Sequence, residues 1–449
     1  MSELIHKFHA MESTHHLFDL AREDDIPLWD ICRYSAYVKY YYPESGQKRL
    51  AMARRHEIAE YVRLLGHFAA VLWEIVGRSG RVMVITCSRF KGADGRQFDK
   101  AAQPLIEVLR GDATVLEAIS GKPVRYPFIY DFACVFRRLF PRVRLQPKYY
   151  KKIEQALVDT CGECRLSEAE TAQIYHNFRS DAVYYRLVFR LLRTKRVFIA
   201  EGNPKGILRA ARDCTLTSYI LQHGGIEFDE IDFSYPSQVA RSDNIIFPDY
   251  VLTLGDYWCK GLNVPAEKVI AIGNDLFFAR PAEVTDGSVL VISTIVHGEP
   301  LRSLTKDAAA LHPAQRFIFK LHPNEYHLQQ DYACFFAGCQ NVLVVTDQID
   351  INVLVARSDL VLLIVSAVLY EALNQGKKVA VYKRLNFERQ KCVSHLKNVH
   401  FVDSAEELSA ALVAPSRKVG VDFYKPTDRA LLRRIAEGCL ESSTAGGSS

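Results

Sequence analysis

The residues of this chain best suited to chemistry stand where apolar runs end. Phe317–Leu321 leads into Lys320-Leu321-His322-Pro323, and Leu360–Val365 leads into Ser366, which opens a helix-like stretch carrying Tyr370 and Glu371. An imidazole in that place can donate a hydrogen bond to a phosphate or to a leaving group. A serine at a helix start lies among free N–H groups and the positive end of the dipole, a setting that suits a phosphate. Glu371, about one and a half turns further on, is expected to reach a ribose hydroxyl. Ser293, Thr294 and His297 close a third run, Ser288–Thr294, and are expected to add phosphate contacts. Lys320 points to the opposite strand face from Leu321, so it reads as a rim charge or as a second phosphate contact. Together these residues would hold a sugar nucleotide. Each also has a plainer reading. A lone histidine is usually structural, and Ser366 can be only an N-cap. A glutamate buried in a helix is costly unless paired, which favours a ribose or base partner for Glu371.

The elements that must position these groups follow from the same stretch. Phe317–Leu321, Val342–Val345, Leu360–Val365 and Val379–Tyr382 are unbroken apolar runs of strand length that alternate with helix-like segments. Such runs suit parallel strands covered on both faces. Ligands of these sheets sit beyond the carboxyl ends of the strands. Six strands are expected after residue 287, ending with Val399–Val402 and a helix capped at Ser404. Upstream, Arg81–Cys87, Arg196–Ala200, Thr217–Leu221 and Asp249–Leu254 read as strands of a first domain, with Asp249–Leu254 as its last. Val124–Tyr130 is a further candidate strand, and 97–195 otherwise parses poorly, with helices expected at 99–110, 148–158 and 167–192. The N-terminal part is expected to be helical. It includes an aromatic face of Tyr34, Tyr37 and Tyr41, and an apolar stretch over 47–78. The aromatic face either packs on the body or forms a lip over an acceptor. Arg137, Arg138, Arg142 and Arg144 form a basic run, read as a solvated face rather than a contact for an anionic acceptor.

Lys320-Leu321-His322-Pro323 followed by Ser366 and Tyr370-Glu371 resembles the donor half of GT-B glycosyltransferases of bacterial capsule and lipopolysaccharide synthesis. That group includes sialyltransferases and Kdo transferases, and the related teichoic-acid glycerophosphotransferases. A second likeness lies upstream, in Leu221-Gln222-His223-Gly224-Gly225, Phe247-Pro248-Asp249-Tyr250, Leu254-Gly255-Asp256-Tyr257-Trp258 and Ile272-Gly273-Asn274. It is similar to the QHG segment and domain crossover of capsule-polysaccharide transferases. The Trp29–Tyr34 stretch is also similar to the opening of some of them. The likeness spans about residues 195–415. It implies an α/β fold of the GT-B kind, with two Rossmann-like domains facing a cleft and extra N-terminal helices. The expected layout is an acceptor-side domain over 1–265, a donor domain over 266–415, a C-terminal helix over 416–440 that crosses back, and a disordered tail over 441–449. The resemblance places donor binding on His322, Pro323, Lys320, Ser293, Thr294, Ser366 and Glu371. It implies a metal-independent enzyme without a cofactor, the nucleotide-sugar being a substrate.

An inverting transfer needs a general base within about 3 Å of the acceptor hydroxyl. Asp94, in the loop after the first strand, and Glu227, after the QHG segment, rank first. His223 and Glu201 stand at other strand ends, and His223 can instead be structural. No E-x7-E pair begins at Glu371, unlike one large retaining group.

Composition narrows the function. The chain has 449 residues, 49% hydrophobic and 24% charged, with a net charge of +5. That length suits two domains. The charge is too small to argue for nucleic acid, though it is compatible with an anionic substrate or membrane surface. No secretory signal and no spanning run of about 18 apolar residues is present. The eleven cysteines lie mostly in apolar segments. The expectation is a cytoplasmic protein, with peripheral contact at the cytoplasmic membrane face allowed. Cys161-Gly162-Glu163-Cys164 is a single pair and reads poorly as zinc. Neither G-x-x-x-x-G-K-[ST] nor G-x-G-x-x-G occurs, which argues against an NTPase and a dehydrogenase.

The expected activity is transfer of a sugar from a nucleotide-sugar donor to a surface-polysaccharide or lipid-linked acceptor. A CMP-linked acidic sugar is favoured, with UDP- or GDP-sugars next. Rival readings are a nucleotide-sugar 2-epimerase, a CDP-glycerol-type glycerophosphotransferase and a non-catalytic binding partner.

Overall fold

The computed structural model describes residues 3–439 except 21, 24, 42–80, 93, 119–122, 143, 201, 227–229, 237–243, 261, 279–284, 295–297, 348, 385–386 and 418. Expectations for the 47–78 helix, Glu201, Glu227, His297 and the 441–449 tail fall outside the described residues.

Two large parallel sheets carry the architecture, beside two short antiparallel pairs, Arg22–Glu23 with Ile26–Pro27 and Phe90–Lys91 with Gln97–Phe98. The first holds β1 (Val82–Thr86), β2 (Ala113–Ala118), β3 (Ile129–Asp131), β4 (Arg196–Ile199), β5 (Thr217–Leu221), β6 (Tyr250–Thr253) and β7 (Lys268–Ala271). They lie in the spatial order β7-β6-β5-β4-β1-β2-β3. The second holds β8 (Val289–Ile292), β9 (Phe317–Lys320), β10 (Val342–Val345), β11 (Leu360–Leu363), β12 (Lys378–Tyr382) and β13 (Val399–Val402). Their order is β10-β9-β8-β11-β12-β13. Read from its own first strand, each sheet runs 3-2-1-4-5-6, the doubly wound arrangement; the first adds a seventh strand. The expected α/β class with two Rossmann-like domains is what is observed, and the six strands after residue 287 are all present.

The reason is hydrophobic patterning. Val289, Val291, Phe317, Phe319, Leu360, Leu362 and Ala380 belong to one buried cluster in the second sheet. Helices cover a parallel sheet on both sides, so alternate residues on both faces must be apolar.

Three differences from the sequence reading have local causes. Asp249–Leu254 is not the last strand of the first sheet: β7 pairs beyond it, Tyr250 opposite Lys268 and Thr253 opposite Ala271. As an edge strand it is only half covered, so its apolar signal is short. The Val124–Tyr130 strand shrinks to Ile129–Asp131 plus an isolated bridge between Gln97 and Val124. Pro127 cannot donate to a ladder. β2 escaped notice because Glu117 interrupts its apolar run, yet Glu117 is fully buried.

Arg137 and Arg138 lie on a helix, α3 (Ala133–Leu139), packed on the long helix α4 (Glu168–Leu191). Ser167 and Glu170 form a reciprocal capping box that fixes the start of α4. No described helix is long and apolar enough to cross a membrane.

The chain divides into two compact units. One comprises Leu254–Trp258 and Gly273–Pro426; the other comprises Glu3–Thr253, Cys259–Ile272 and Thr427–Ser449. Where a single boundary near residue 265 is expected, the chain passes between units after Thr253, Trp258, Ile272 and Pro426. The last helix, Arg429–Glu437, belongs to the unit of the first sheet, where Arg196 Nη1 donates to Ala436 O at 3.1 Å.

Candidate functional sites beyond the strand ends

In the second sheet the order reverses between β8 and β11. The crevice beyond the carboxyl ends at such a switch point is where this architecture binds ligands. β8 ends in Ser293 and Thr294, β11 leads to Ser366, and β9, next to β8, leads to His322. Neighbouring strands lie about 4.8 Å apart, so these three consecutive ends span about 10 Å. Four of the expected donor-binding residues therefore share one end of one sheet.

Two of them, Ser293 and His322, are tied to a carboxylate that the sequence reading did not single out. Glu325 is 4% exposed. Its Oε2 accepts from Ser293 Oγ at 2.7 Å and from the His322 backbone N–H at 3.3 Å. Its Oε1 accepts from Tyr332 Oη at 2.9 Å. A usable signal was present: His322-Pro-Asn-Glu325 has capping-box spacing at the start of the 3-10 turn Pro323–Leu328. His322 Nδ1 accepts from Asn324 N–H at 3.1 Å. The neutral ring therefore carries its proton on Nε2, which makes that atom a donor.

Thr294 Oγ1 is buried and has no partner among the described residues. Ser366 Oγ accepts from Val368 N–H at 3.3 Å, one residue before Ala367, the N-cap of the short helix Val368–Asn374. Glu371 is buried in that helix, and its charge adds to burial in holding the Tyr424 phenol well above its usual range. Trp258 braces the helix: its ring meets Tyr370 at 4.7 Å, and its Nε1 donates to Phe423 O at 2.7 Å. Lys320 is turned inward. It is 8% exposed, with Nζ on Tyr326 Oη at 2.9 Å and Leu321 O at 3.2 Å. Burial lowers its pKa, against the opposing pull of Asp347 and Asp350.

The first sheet carries a cavity of about 530 Å³ beyond the ends of β4 and β5. Gly202–Gly206, Gln222–Ile226, Glu230, Asp232 and Phe233 line one side, and Asp30, Tyr34 and Ser35 another. The second group stands on an N-terminal helix, Leu28–Tyr41. Charge holds that helix in place. Arg33, 2% exposed, contacts Glu12 through Nε at 2.5 Å and Nη2 at 3.1 Å. It also donates to Ser234 O at 2.6 Å and to Ile231 O. Trp29 Nε1 joins the same glutamate at 3.0 Å. The aromatic face divides accordingly. Tyr37 packs edge-on against Phe8 in the core, whereas Tyr34 is 43% exposed and lines the cavity.

Inside the cavity Lys205 Nζ reaches Asp30 Oδ1 at 2.9 Å, Ile246 O at 2.8 Å and Tyr235 Oη at 3.1 Å. Burial lowers the Lys205 pKa, partly countered by Asp30. Asp232 responds in the opposite sense. Burial pushes its carboxyl up to about 7, with Lys205 opposing and Glu230 reinforcing. Gln222 Nε2 closes the QHG turn on Gly224 O at 2.7 Å. His223 stands at the cavity wall, its imidazolium form disfavoured first by burial and then by Arg89.

Of the four expected bases, His223 lines this cavity, and Glu201 and Glu227 lie outside the described residues. Asp94 is placed elsewhere: it is exposed, pairs with Arg125 at 3.3 Å, and is held below the usual carboxylate range by that arginine. Asp232 was missed. It sits in a single 3-10 turn, Ile231–Phe233, and Lys205, whose charge opposes its shift, is remote in sequence. Among the described residues no group of three or more His, Cys, Asp or Glu could hold a metal ion.

No protein-family model matches the chain, and no curated protein matches it in sequence. Several solved structures share its general plan. UDP-GlcNAc 2-epimerase of Methanocaldococcus jannaschii, in complex with UDP-GlcNAc and UDP, is 12% identical with a TM-score of 0.48, covering 80% of this chain and 99% of that one. MurG of Acinetobacter baumannii is 10% identical with a TM-score of 0.45, covering 80% and 99%. Spinosyn rhamnosyltransferase SpnG, complexed with thymidine diphosphate, is 13% identical with a TM-score of 0.41, covering 80% and 95%. Likeness at this distance says nothing about substrate or reaction.

Proposed function

We propose that the chain is a metal-independent glycosyltransferase of the GT-B kind, taking a sugar from a nucleotide-sugar to an acceptor hydroxyl. The observation that carries this reading is the sugar-sized cavity with Asp232 in its wall, a carboxyl that burial pushes up to about 7. Cavities of about 300–1,000 Å³ suit small-molecule substrates, and a base works best with its pKa near the working pH. Aromatic rings (Tyr34, Phe178, Phe233) and carboxylates in the lining fit the faces and hydroxyls of a sugar.

In this reading Asp232 accepts the acceptor hydroxyl's proton while that oxygen bonds to the anomeric carbon. The anomeric C–O bond to the nucleotide breaks, and the electron pair leaves on the phosphate. His322 Nε2–H, Thr294 and Ser366 neutralise that developing charge, with Ser293 holding the Glu325 carboxylate behind them, Pro323 fixing the turn and Glu371 directed to the ribose. Lys320 supports the turn through Tyr326. His223 orients the acceptor, and Glu227 takes a supporting part. The donor is a CMP-linked acidic sugar, or else a UDP- or GDP-sugar, and the acceptor a bacterial surface polysaccharide or lipid-linked oligosaccharide.

A thermal-shift panel of CMP, UDP, GDP and CDP tests the donor assignment. One nucleotide is expected to stabilise the chain; no response at millimolar levels would sink the proposal. Incubation with UDP-N-acetylhexosamine and no acceptor is expected to leave the sugar unchanged. An epimerised product would make the chain a 2-epimerase instead, and transfer from CDP-glycerol would make it a glycerophosphotransferase.

A further inference from the structure

A groove of about 330 Å³ opens between α3 and α4 beside β3, and its walls are almost wholly apolar: Phe132, Val135, Phe136, Leu139, Val188 and Leu191 among them. Its rim projects leucines into solvent. Leu139 is 78% exposed, Leu191 60% and Leu187 48%. Isolated exposed leucines are ordinary, but a contiguous apolar patch around a groove marks a surface made to be covered.

The charge around the groove identifies what covers it. Segments 132–144 and 182–195 contain Arg137, Arg138, Arg142, Arg144, Arg186, Arg190, Arg193 and Lys195 and no aspartate or glutamate. The chain as a whole has 57 basic and 52 acidic side chains, so this local excess is not a reflection of composition. Arg137 pairs with Asp181 at 2.6 Å and Arg186 with Asp213 at 3.4 Å. Arg138, Arg142, Arg144, Arg190, Arg193 and Lys195 are exposed. Protruding aliphatic side chains with exposed cations beside them in the chain, Arg138 next to Leu139 and Arg190 next to Leu191, match an anionic lipid surface, whose headgroups attract the cations while the acyl boundary takes the leucines.

We propose that the α3–α4 face docks the chain on an anionic phospholipid bilayer, with Leu139 and Leu191 entering the headgroup boundary. This inference is independent of the glycosyl-transfer reading, since neither the walls of the groove nor the exposed cations line the Asp232 cavity or the β8–β11 crevice.

The test is flotation of the full chain with vesicles of phosphatidylglycerol and phosphatidylethanolamine, against vesicles of phosphatidylcholine alone. Binding is expected only to the anionic vesicles and is expected to fall as salt rises. Leu139→Glu with Leu191→Glu should weaken partition at least about ten-fold. Arg138→Gln, Arg190→Gln and Arg193→Gln together should weaken it about five-fold per arginine. All these positions are exposed, and thermal melts should stay within about 2 °C of the parent. Equal binding to neutral vesicles, no binding to either, or unaltered binding by both variants overturns the proposal. So does a dimer in solution that the leucine variant splits while vesicles are ignored, since the face would then join two copies.

Discussion

The two sheets solve one problem in the same way and then part. In each, the serine after the first strand donates to a buried glutamate associated with the second strand. Ser88 Oγ meets Glu117 at 2.8 Å, and Ser293 Oγ meets Glu325 at 2.7 Å. In each, a tyrosine hydroxyl joins the same carboxylate at 2.9 Å: Tyr126 in the first, Tyr332 in the second. A buried carboxylate is tolerable when it is fully hydrogen-bonded, and here it immobilises the loop beyond strand one. The divergence comes after the fourth strand. β11 is followed by Ser366 and a short helix, which add neutral donors. β4 is followed by Lys205, held among Asp30, Tyr235 and the Ile246 carbonyl, with Asp232 nearby. In the proposed reading, one strand-end region receives negative charge and the other accepts a proton. The lesson is that a shared topology fixes where ligands go, while a few loop residues decide what is done there.

The sharpest way to break this contrast is Asp232→Asn. Turnover is expected to fall about 10²–10⁴-fold, while stabilisation by the nucleotide persists. Near-normal turnover would remove the proton-accepting role from the first sheet. In the parent, turnover should rise as pH climbs through about 7. Stability should run the other way. The folded carboxyl titrates near 7 and an unfolded one near 4, so its contribution is present below about pH 4 and lost as pH rises through about 7. Urea melts of the asparagine variant should lack that slope.

Arg33→Ala comes next. It leaves Glu12 buried without its cation, and removing one partner of a buried pair costs about 3–5 kcal/mol. Equilibrium denaturation should show the loss. A variant as stable as the parent would mean that the N-terminal helix does not depend on this pair.

His322→Ala sharpens the other side of the contrast. A hydrogen bond to a charged group contributes about 1.5–3 kcal/mol, so the nucleotide should bind about 10–100-fold more weakly and activity should be lost with the fold intact. An unchanged nucleotide titration would take the imidazole out of the donor site.

The smallest effect is expected for Asp94→Asn. That carboxylate is solvent-facing and spent on Arg125. Progress curves should overlay the parent's; abolished turnover would move the base from Asp232 to this loop.

Much of the second sheet was legible because both its faces are covered, which leaves unbroken apolar runs with polar residues only at their ends. Ser293, His322 and Ser366 could be placed on strand ends for that reason. The first sheet was harder to read. Glu117 disguises β2, Pro127 shortens the strand beside it, and β7 is an edge. The Asp30–Lys205 pair joins residues 175 positions apart. No periodicity reports such a contact, so neither the elevated Asp232 nor the helix that walls its cavity could be derived from spacing. The aromatic helix was expected either to pack or to overhang an acceptor; Tyr37 packs and Tyr34 faces the cavity.

The short Leu254–Trp258 stretch belongs to the unit of the second sheet although its flanks belong to the first. Trp258 rests there on Phe423 and Tyr370, contributed by residues more than a hundred positions downstream. A gene cut at residue 272 would therefore give a front half ending in an indole stripped of its seat, and a back half with a hole beneath the Ser366 helix. Expressing the two halves as separate polypeptides should yield insoluble material from each. Recovering both would require co-expression, which makes this a chain that evolution can lengthen at its loops far more readily than it can shuffle by halves.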